Sequence, residues 1–182
     1  MLDRDSFIDD CRTAATDCFE SRTMREIIAR AVAEPAALMR CLGEPTKVGF
    51  DVLYRSPNLT ILNTFWAPHM VIMPHNHAMA AVIGVYAGRE DNMLWRRLPD
   101  DAHGRIEAAG AKSLGPGDTC AFGADMIHSV VNPTARITGA IHVYDGDFFG
   151  VDRSEWEPDT LDEKPYDMQK VLRMFEANPM VS

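Results

Sequence analysis

The chain has 182 residues, of which 46% are hydrophobic and 25% charged, and its formal net charge is −9. This length is enough for one domain with a substantial core. The negative charge, interrupted only by short basic clusters such as Arg96-Arg97, disfavours nucleic acid and anionic membranes as partners.

The beginning of the sequence and its cysteines indicate the compartment. The first residues, Met1 to Asp5, carry acid where a secretory signal carries base, and no apolar run approaches the roughly 18 residues of a membrane span. The cysteines show no paired spacing, which is typical of a reducing compartment and argues against a disulfide framework; they are Cys11, Cys18, Cys41 and Cys120. We therefore expect a cytoplasmic protein.

Residues 1–45 are predicted to be helical, and the first helix shows one apolar stripe. Ser6 is expected to cap this helix, because a serine hydroxyl can accept a hydrogen bond from a free backbone N–H of the first turn. Apolar residues then recur at three- and four-residue spacing, which places Cys11 and Cys18 on the same helix face.

Two further helices are predicted before the sequence changes to short β-rich runs. Thr23 and Glu26 have the spacing of a capping box, which is typical of a helix start. A third, short helix is expected to begin at Pro35, because proline fits the first turn, and to end at Gly43.

Residues 46–150 consist of short β-rich runs between turn residues. Separators such as Ser56-Pro57-Asn58 and Gly115-Pro116-Gly117-Asp118 have turn chemistry, and their close spacing favours an antiparallel sandwich or barrel. The predicted strands are Val48–Tyr54, Leu59–Trp66, Ala80–Tyr86, Met93–Leu98, Thr119–Phe122, Ser129–Val131 and Ile137–Tyr144.

The remainder, residues 151–182, is predicted to be a C-terminal extension of the barrel. The stretch from Asp145 to Pro165 is acidic and is expected to be irregular. Apolar residues at helical spacing predict a final amphipathic helix from Asp167 to Ala177. We expect residues 1–182 to form a single domain.

Three histidines predict a metal site. His75 and His77 are two residues apart, so on a strand their imidazoles lie on the same face of the sheet. His128 follows 51 residues after His77, beyond the turn that ends at Asp118. Three neutral imidazoles can hold a divalent first-row metal and leave coordination positions open, which is the condition for a metal that handles substrate.

Other polar residues near these runs receive simpler interpretations. His69 is expected in a turn and His103 in an exposed loop. Glu90 follows the Gly88 turn and is expected to face solvent, whereas a shift in strand register would make it a fourth metal ligand.

The two histidine motifs resemble those of the cupin superfamily. An HxH precedes a hydrophobic strand that ends at the Gly88 turn, and Gly117-Asp118 opens a strand that leads to His128. Where cupins usually have a glutamate ligand, this chain has Ala81 and Val82, which narrows the resemblance to three-histidine members. The resemblance implies a mainly β fold, a cupin (RmlC-like) double-stranded β-helix barrel with N-terminal helices and a short C-terminal helix.

Among three-histidine cupins, the chain is similar to cysteine dioxygenase and related bacterial thiol dioxygenases. These share three N-terminal helices, an HxH, a third histidine and a later His-x-Tyr, for which this chain has His142 and Tyr144, fourteen and sixteen residues after His128. The family usually has a serine where Ala140 stands, forming a Ser-His-Tyr relay. The resemblance implies that His142 and Tyr144 are catalytic, and the alternation of a strand places both side chains on one face.

The same family holds the substrate carboxylate with an arginine in a Tyr-x-Arg stretch upstream of the HxH. Tyr54 and Arg55 lie in a comparable place, although here the two are adjacent. The resemblance implies that they bind substrate, and a guanidinium fork suits a carboxylate.

The expected function is that of a mononuclear non-heme iron(II) dioxygenase that oxidises the thiol of a small carboxylate-bearing substrate to a sulfinate. His75, His77 and His128 are the expected iron ligands, with nickel, manganese or zinc as alternative metals. The expected partners are O2 and the small molecule, and the expected assembly is a monomer or homodimer. Two alternatives stay open: a metal-dependent cupin enzyme with a non-thiol substrate, and a cupin that binds a small ligand without catalysis.

Overall fold

The computed structural model describes residues 3–17 and 22–177. The helices are α1 (Arg4–Asp17), α2 (Arg22–Val32), α3 (Pro35–Leu42) and α4 (Met168–Glu176). The strands are β1 (Gly49–Ser56), β2 (Leu59–Trp66), β3 (Val71–Asn76), β4 (Ala81–Ala87), β5 (Glu90–Arg97), β6 (Ile106–Leu114), β7 (Thr119–Phe122), β8 (Ile127–Val131), β9 (Thr138–Tyr144), β10 (Ser154–Trp156) and β11 (Glu163–Pro165). Among the described residues, no helix has the length and apolar character needed to cross a membrane.

The strands form two antiparallel sheets that face each other. One sheet has the order β1-β2-β9-β4-β7 and the other β11-β10-β3-β8-β5-β6. From β2 to β9 the chain alternates between the sheets, except at the β5–β6 hairpin. This winding is that of a jelly-roll barrel. The predicted mainly β fold, a double-stranded β-helix barrel with N-terminal helices and a short C-terminal helix, is confirmed, while its treatment as a single domain stays a prediction.

The N-terminal helices cover the outer face of the five-stranded sheet. Ile28 and Val32 of α2 belong to the same buried cluster as Ile61 of β2, Val82 of β4 and Ile141 of β9. Because these strands are covered on both faces, β2 and β9 are buried along their whole length. Alternate residues of β2 and β9 therefore face the barrel interior, where the polar side chains of the site lie.

Two predicted helix starts are wrong, while the third and fourth helices agree with prediction. Ser6 lies inside α1, and its backbone N–H donates to Oδ2 of Asp3 at 2.9 Å. The Asp3 side chain, and not that of Ser6, therefore caps the first turn of the helix. Thr23 lies inside α2, and the Glu26 carboxylate accepts from Arg22 Nε at 2.5 Å instead of forming a capping box. Cys18 lies outside the described residues.

Several strands were not predicted. Both β3 and β6 are absent from the predicted set, and the stretch expected to be irregular contains β10 and β11. The strand β10 pairs with β3 through Glu155 opposite His75, and β11 extends the same sheet. This added pair lies beside the histidine-bearing strand, so the C-terminal extension helps to form the surroundings of the site.

Candidate metal centre

Three histidines converge inside the barrel. His75 lies near the end of β3, His77 directly follows that strand, and His128 lies in β8. His75 and His128 are opposite each other in the antiparallel ladder. One nitrogen from each ring lies within 4.8 Å of the others, and all three side chains are buried. The strand pairing thus brings together the residues predicted to hold the metal.

The outer ring nitrogens of two histidines are hydrogen-bonded to acceptors. His75 Nδ1 lies 2.9 Å from the Met73 carbonyl oxygen, and His128 Nδ1 lies 2.6 Å from Oδ1 of Asn92. An oxygen acceptor at Nδ1 requires the ring proton there, which leaves the Nε2 lone pair free for a metal. His128 Nε2 lies 3.1 Å from His77 Nε2. This nitrogen donor set fits a divalent first-row metal ion.

Burial keeps these imidazoles neutral. It lowers the pKa of His75 to about 4 and the pKa values of His77 and His128 well below the ordinary range. Neighbouring positive groups act in the same direction, among them Arg153 at His75 and His77. A metal must compete with protons for a histidine, so neutral rings near pH 7 favour binding.

The prediction that Glu90 faces solvent is wrong. Glu90 is fully buried at the start of β5. Its oxygens accept hydrogen bonds from Trp66 Nε1 at 2.7 Å and Asn92 Nδ2 at 3.0 Å, and Oε2 lies 3.2 Å from His142 Nε2. Burial alone would raise the pKa of Glu90, but His142 and these hydrogen bonds outweigh it and hold the pKa below its ordinary value. Glu90 is thus a buried carboxylate one layer outside the three histidines.

His142 and Tyr144 lie on the inward face of β9, as the alternation predicts. His142 Nδ1 is 3.1 Å from the Tyr144 hydroxyl, and the Tyr144 ring centroid is 4.9 Å from that of His77. Burial raises the pKa of Tyr144 well above its ordinary value, so the phenol is neutral. Where the resemblance predicts a serine partner for His142, the chain has Ala140, and Glu90 contacts the far ring nitrogen instead.

The structure places Tyr54 and Arg55 away from the histidines. The Arg55 side chain is 49% exposed and forms two hydrogen bonds of 2.8 Å with Asp147, and its guanidinium lies 4.9 Å from the Phe149 ring centroid. Tyr54 packs against the helical cluster, with the Arg12 guanidinium 5.4 Å from its ring. Neither residue lines the cavity at the histidines.

Arg153 is a buried arginine that the sequence analysis missed. It is 8% exposed and lies between the rings of Phe148 and Tyr166, with centroids 3.9 and 4.0 Å from its guanidinium carbon. Its Nη1 and Nη2 atoms have no hydrogen-bond acceptor among the described residues. A buried guanidinium whose two terminal nitrogens have no acceptor is costly, so this side chain is suited to receive an anion.

A small cavity lies at the three histidines. Its volume open to water-sized molecules is about 40 Å³. Helix α4 contributes Val171 and Phe175 to one wall, and Phe148 and Tyr166, which enclose Arg153, contribute to another. The remaining lining residues are mostly apolar: Phe50, Leu62, Thr64, Trp66, Ile72, Val130, His142, Tyr144 and Met168.

Sequence comparisons give no relative for this chain, while solved structures resemble parts of it. No protein-family model matches, and no curated protein matches. A variant of oxalate decarboxylase from Bacillus subtilis is 21% identical, covering 56% of this chain and 26% of its own, with a TM-score of 0.42. DMSP lyase DddQ from Ruegeria pomeroyi is 17% identical, covering 57% and 46%, with a TM-score of 0.44. KdgF from Halomonas sp. is 16% identical, covering 53% and 76%, with a TM-score of 0.41.

This chain therefore spans less than half the length of the first two structures. All three similarities are below 25% identity.

Proposed function

We propose that the chain is a mononuclear iron(II) dioxygenase that oxidises the thiol of a small carboxylate-bearing molecule to a sulfinate. The observation that carries this proposal is a buried set of three histidines, with no carboxylate in the cluster among the described residues, beside the buried His142–Tyr144 pair. Three neutral ligands leave the double positive charge of the ion uncompensated, which favours an anionic thiolate as a further ligand.

Iron(II) held by His75, His77 and His128 would supply the redox chemistry that lets O2 react with a thiolate, and the electrons that reduce O2 would come from the substrate sulfur. In the proposed reaction both oxygen atoms of O2 end on the substrate sulfur. The apolar cavity walls exclude bulk water from the reacting groups, which protects them from side reactions.

The polar groups at the cavity and behind its aromatic wall have separate roles in this proposal. Tyr144, held by His142, offers a hydroxyl beside His77 that can hydrogen-bond to the reacting atoms. Arg153 does not line the cavity itself but packs between Phe148 and Tyr166 of its wall. We assign the substrate carboxylate to it because its two terminal nitrogens have no acceptor among the described residues, and a guanidinium binds a carboxylate with two parallel hydrogen bonds. This assigns to Arg153 the role that the resemblance gave to Arg55.

The volume of the cavity limits the substrate. A single water molecule needs roughly 10–15 Å³ of such volume, so about 40 Å³ corresponds to only a few water-sized groups. A substrate of a few non-hydrogen atoms, with a thiol at one end and a carboxylate at the other, is consistent with this space. Larger substrates would require part of the cavity wall to move.

The proposal is tested by loading the purified chain with iron(II) under anaerobic conditions and adding small thiols with air. We expect one O2 consumed per thiol and a product heavier by two oxygen atoms. His128→Ala should abolish the reaction, while the exposed His69→Ala control should retain it. Absence of O2 consumption with every small thiol carboxylate would refute the thiol reaction, and turnover of a non-thiol substrate with another metal would favour the alternative enzyme.

A second assay decides which arginine binds the carboxylate. Arg153→Gln is expected to raise the KM for a thiol carboxylate at least tenfold, with little effect on a matched thiol that lacks the carboxylate. Arg55→Gln is expected to leave both KM values close to wild type, because its guanidinium is paired with Asp147 on the surface. The opposite pattern would return the role to Arg55.

A further inference from the structure

The carboxylate of Glu90 is connected to two histidines, directly to His142 and through Asn92 to His128. Its Oε2 atom is 2.7 Å from Trp66 Nε1 and 3.2 Å from His142 Nε2. Its Oε1 atom accepts from Asn92 Nδ2 at 3.0 Å, and the Oδ1 atom of the same asparagine is 2.6 Å from His128 Nδ1. One buried side chain is therefore connected to a metal ligand and to the His142–Tyr144 pair.

These hydrogen bonds form a network with two branches. The direct branch, from Glu90 to His142, fixes which atoms of His142 and Tyr144 carry protons. An indole N–H can only donate, so Oε2 of Glu90 must accept from Trp66. His142 Nε2 then carries a proton and donates it to the same oxygen, and in this tautomer Nδ1 has the lone pair. The Tyr144 hydroxyl consequently donates to Nδ1, and its oxygen remains free to accept a hydrogen bond from a ligand in the cavity.

The indirect branch, from Glu90 through Asn92 to His128, fixes which ring nitrogen of His128 carries the proton. Because a carboxylate only accepts, the amide nitrogen of Asn92 must point to Glu90 and its oxygen to His128. His128 Nδ1 therefore carries the ring proton and Nε2 carries the lone pair that faces His75 and His77.

We propose that Glu90 is a positioning residue that fixes the protonated ring nitrogen of both histidines, His128 through Asn92 and His142 directly. It thereby directs the His128 lone pair to the metal position and turns the Tyr144 hydroxyl into an acceptor towards the cavity. This inference goes beyond the proposed reaction, because it applies to any metal and any substrate bound at this site.

The Glu90→Gln substitution separates this role from simple packing, because glutamine has nearly the same shape but one donor in place of an acceptor. If its oxygen faces Trp66 and His142, its NH2 group faces Asn92, which must rotate and present its own NH2 group to His128. If its oxygen faces Asn92, its NH2 group faces His142, which must then accept at Nε2. In either orientation one of the two histidines has to move its proton to the other nitrogen.

The test is nitrogen-15 NMR of the histidine side chains in the metal-free protein, which distinguishes the two neutral tautomers. In the wild type we expect the proton of His128 on Nδ1 and that of His142 on Nε2. In Glu90→Gln we expect one of the two to change. Trp66→Phe is the control, because it removes a hydrogen bond to the same Glu90 oxygen without altering the acceptors of either histidine.

A second variant keeps the test decisive if glutamine at position 90 prevents folding. Asn92→Leu removes only the indirect branch, so His128 should lose its fixed tautomer while His142 keeps its proton on Nε2. Unchanged tautomers of both histidines in Glu90→Gln, or of His128 in Asn92→Leu, would overturn the proposal. The readout needs no metal or substrate, so its outcome is independent of the thiol reaction.

Discussion

The rings of Trp66 and Phe175 are stacked, with centroids 5.5 Å apart and an interplanar angle of 18°. Trp66 ends β2 on the inner side of the barrel, and Phe175 lies on the buried side of α4. Both line the cavity at the histidines. The helix that follows the barrel strands therefore closes the space in which a substrate would bind.

Phe175→Ala is expected to open this space and to weaken the fold. Replacing a buried phenylalanine by alanine costs about 3–5 kcal/mol of unfolding free energy, which urea denaturation measures. Under the proposed function, the variant should also oxidise longer thiol carboxylates than the wild type, measured as O2 consumption over a series of chain lengths. Gln169→Ala, on the exposed side of the same helix, is the control. An unchanged length preference would mean that α4 does not limit the substrate.

Metal stoichiometry tests the three histidines directly. His75→Ala, His77→Ala and His128→Ala should each lower the affinity for iron(II) or zinc(II) by at least about a hundredfold, because each removes one of three ligands from a site with few partners. Competition with a chromophoric chelator measures this loss. His103→Ala, in an exposed loop, should bind one equivalent as tightly as the wild type. Full binding by any of the three variants would exclude that residue as a ligand.

Asn92→Ala is expected to weaken metal binding without removing a ligand. Loss of a hydrogen-bond partner behind a metal-bound histidine typically costs about 10–100-fold in affinity. Ser129→Ala provides a matched control on the neighbouring strand, since Ser129 Oγ accepts from Trp95 Nε1 and not from a histidine. Equal affinities of the two variants in the chelator assay would contradict the role of Asn92.

The metal-free protein should lose stability as the pH falls below neutrality. Unfolded histidines take up protons near their ordinary pKa of 6.5, whereas the pKa of folded His75 is lowered to about 4. The unfolded state therefore binds more protons between these values, and the unfolding free energy falls through this window, by about 3 kcal/mol for His75 alone. Urea denaturation from pH 7 to pH 4.5 measures the slope. A stability that does not change over this range would contradict neutral burial of the histidines.

Gly84 tests the packing of α2 on the barrel. A Cβ atom at this position would lie 2.6 Å from Ile28 Cγ2 and 2.8 Å from Val32 Cγ1, so the helix has to shift. We expect Gly84→Ala to lower the unfolding free energy by about 1–3 kcal/mol. Gly110→Ala is the matched control, because a Cβ atom there meets no atom of the described residues within 4 Å. This substitution should change stability by less than about 0.5 kcal/mol. Equal stability of the two variants would show that α2 adjusts freely.

The sequence predicts those parts of the fold that have a local pattern. The turn residues and alternating apolar runs predict the two-sheet barrel, and Pro35 and Gly43 mark the third helix correctly. The first helix start was wrong because two residues can cap it, and the local sequence does not decide between Asp3 and Ser6. The run Ile106–Leu114 escaped prediction because most of its residues are small or polar and exposed.

The site is predictable only where its residues share a strand or a motif. His75 and His77 share a spacing, as do His142 and Tyr144. The burial of Glu90 depends on partners 24 and 52 residues away in sequence. The local sequence shows only that Glu90 follows a turn, and this position alone predicts an exposed side chain. The burial of Arg153 depends on how the extension packs its two aromatic neighbours, and no periodicity marks it.

The pairing of His75 with His128 has a consequence for the dynamics of the barrel. An ion bound to both would crosslink β3 to β8 at the place where their ladder already has a register irregularity, between Ile72 and His75. Local opening of this strand pair then requires release of the ion, so the backbone amides around the irregularity should exchange with solvent more slowly in the metal-bound protein. The metal would thus reduce the local opening of β3 and β8 in addition to its role in the proposed reaction.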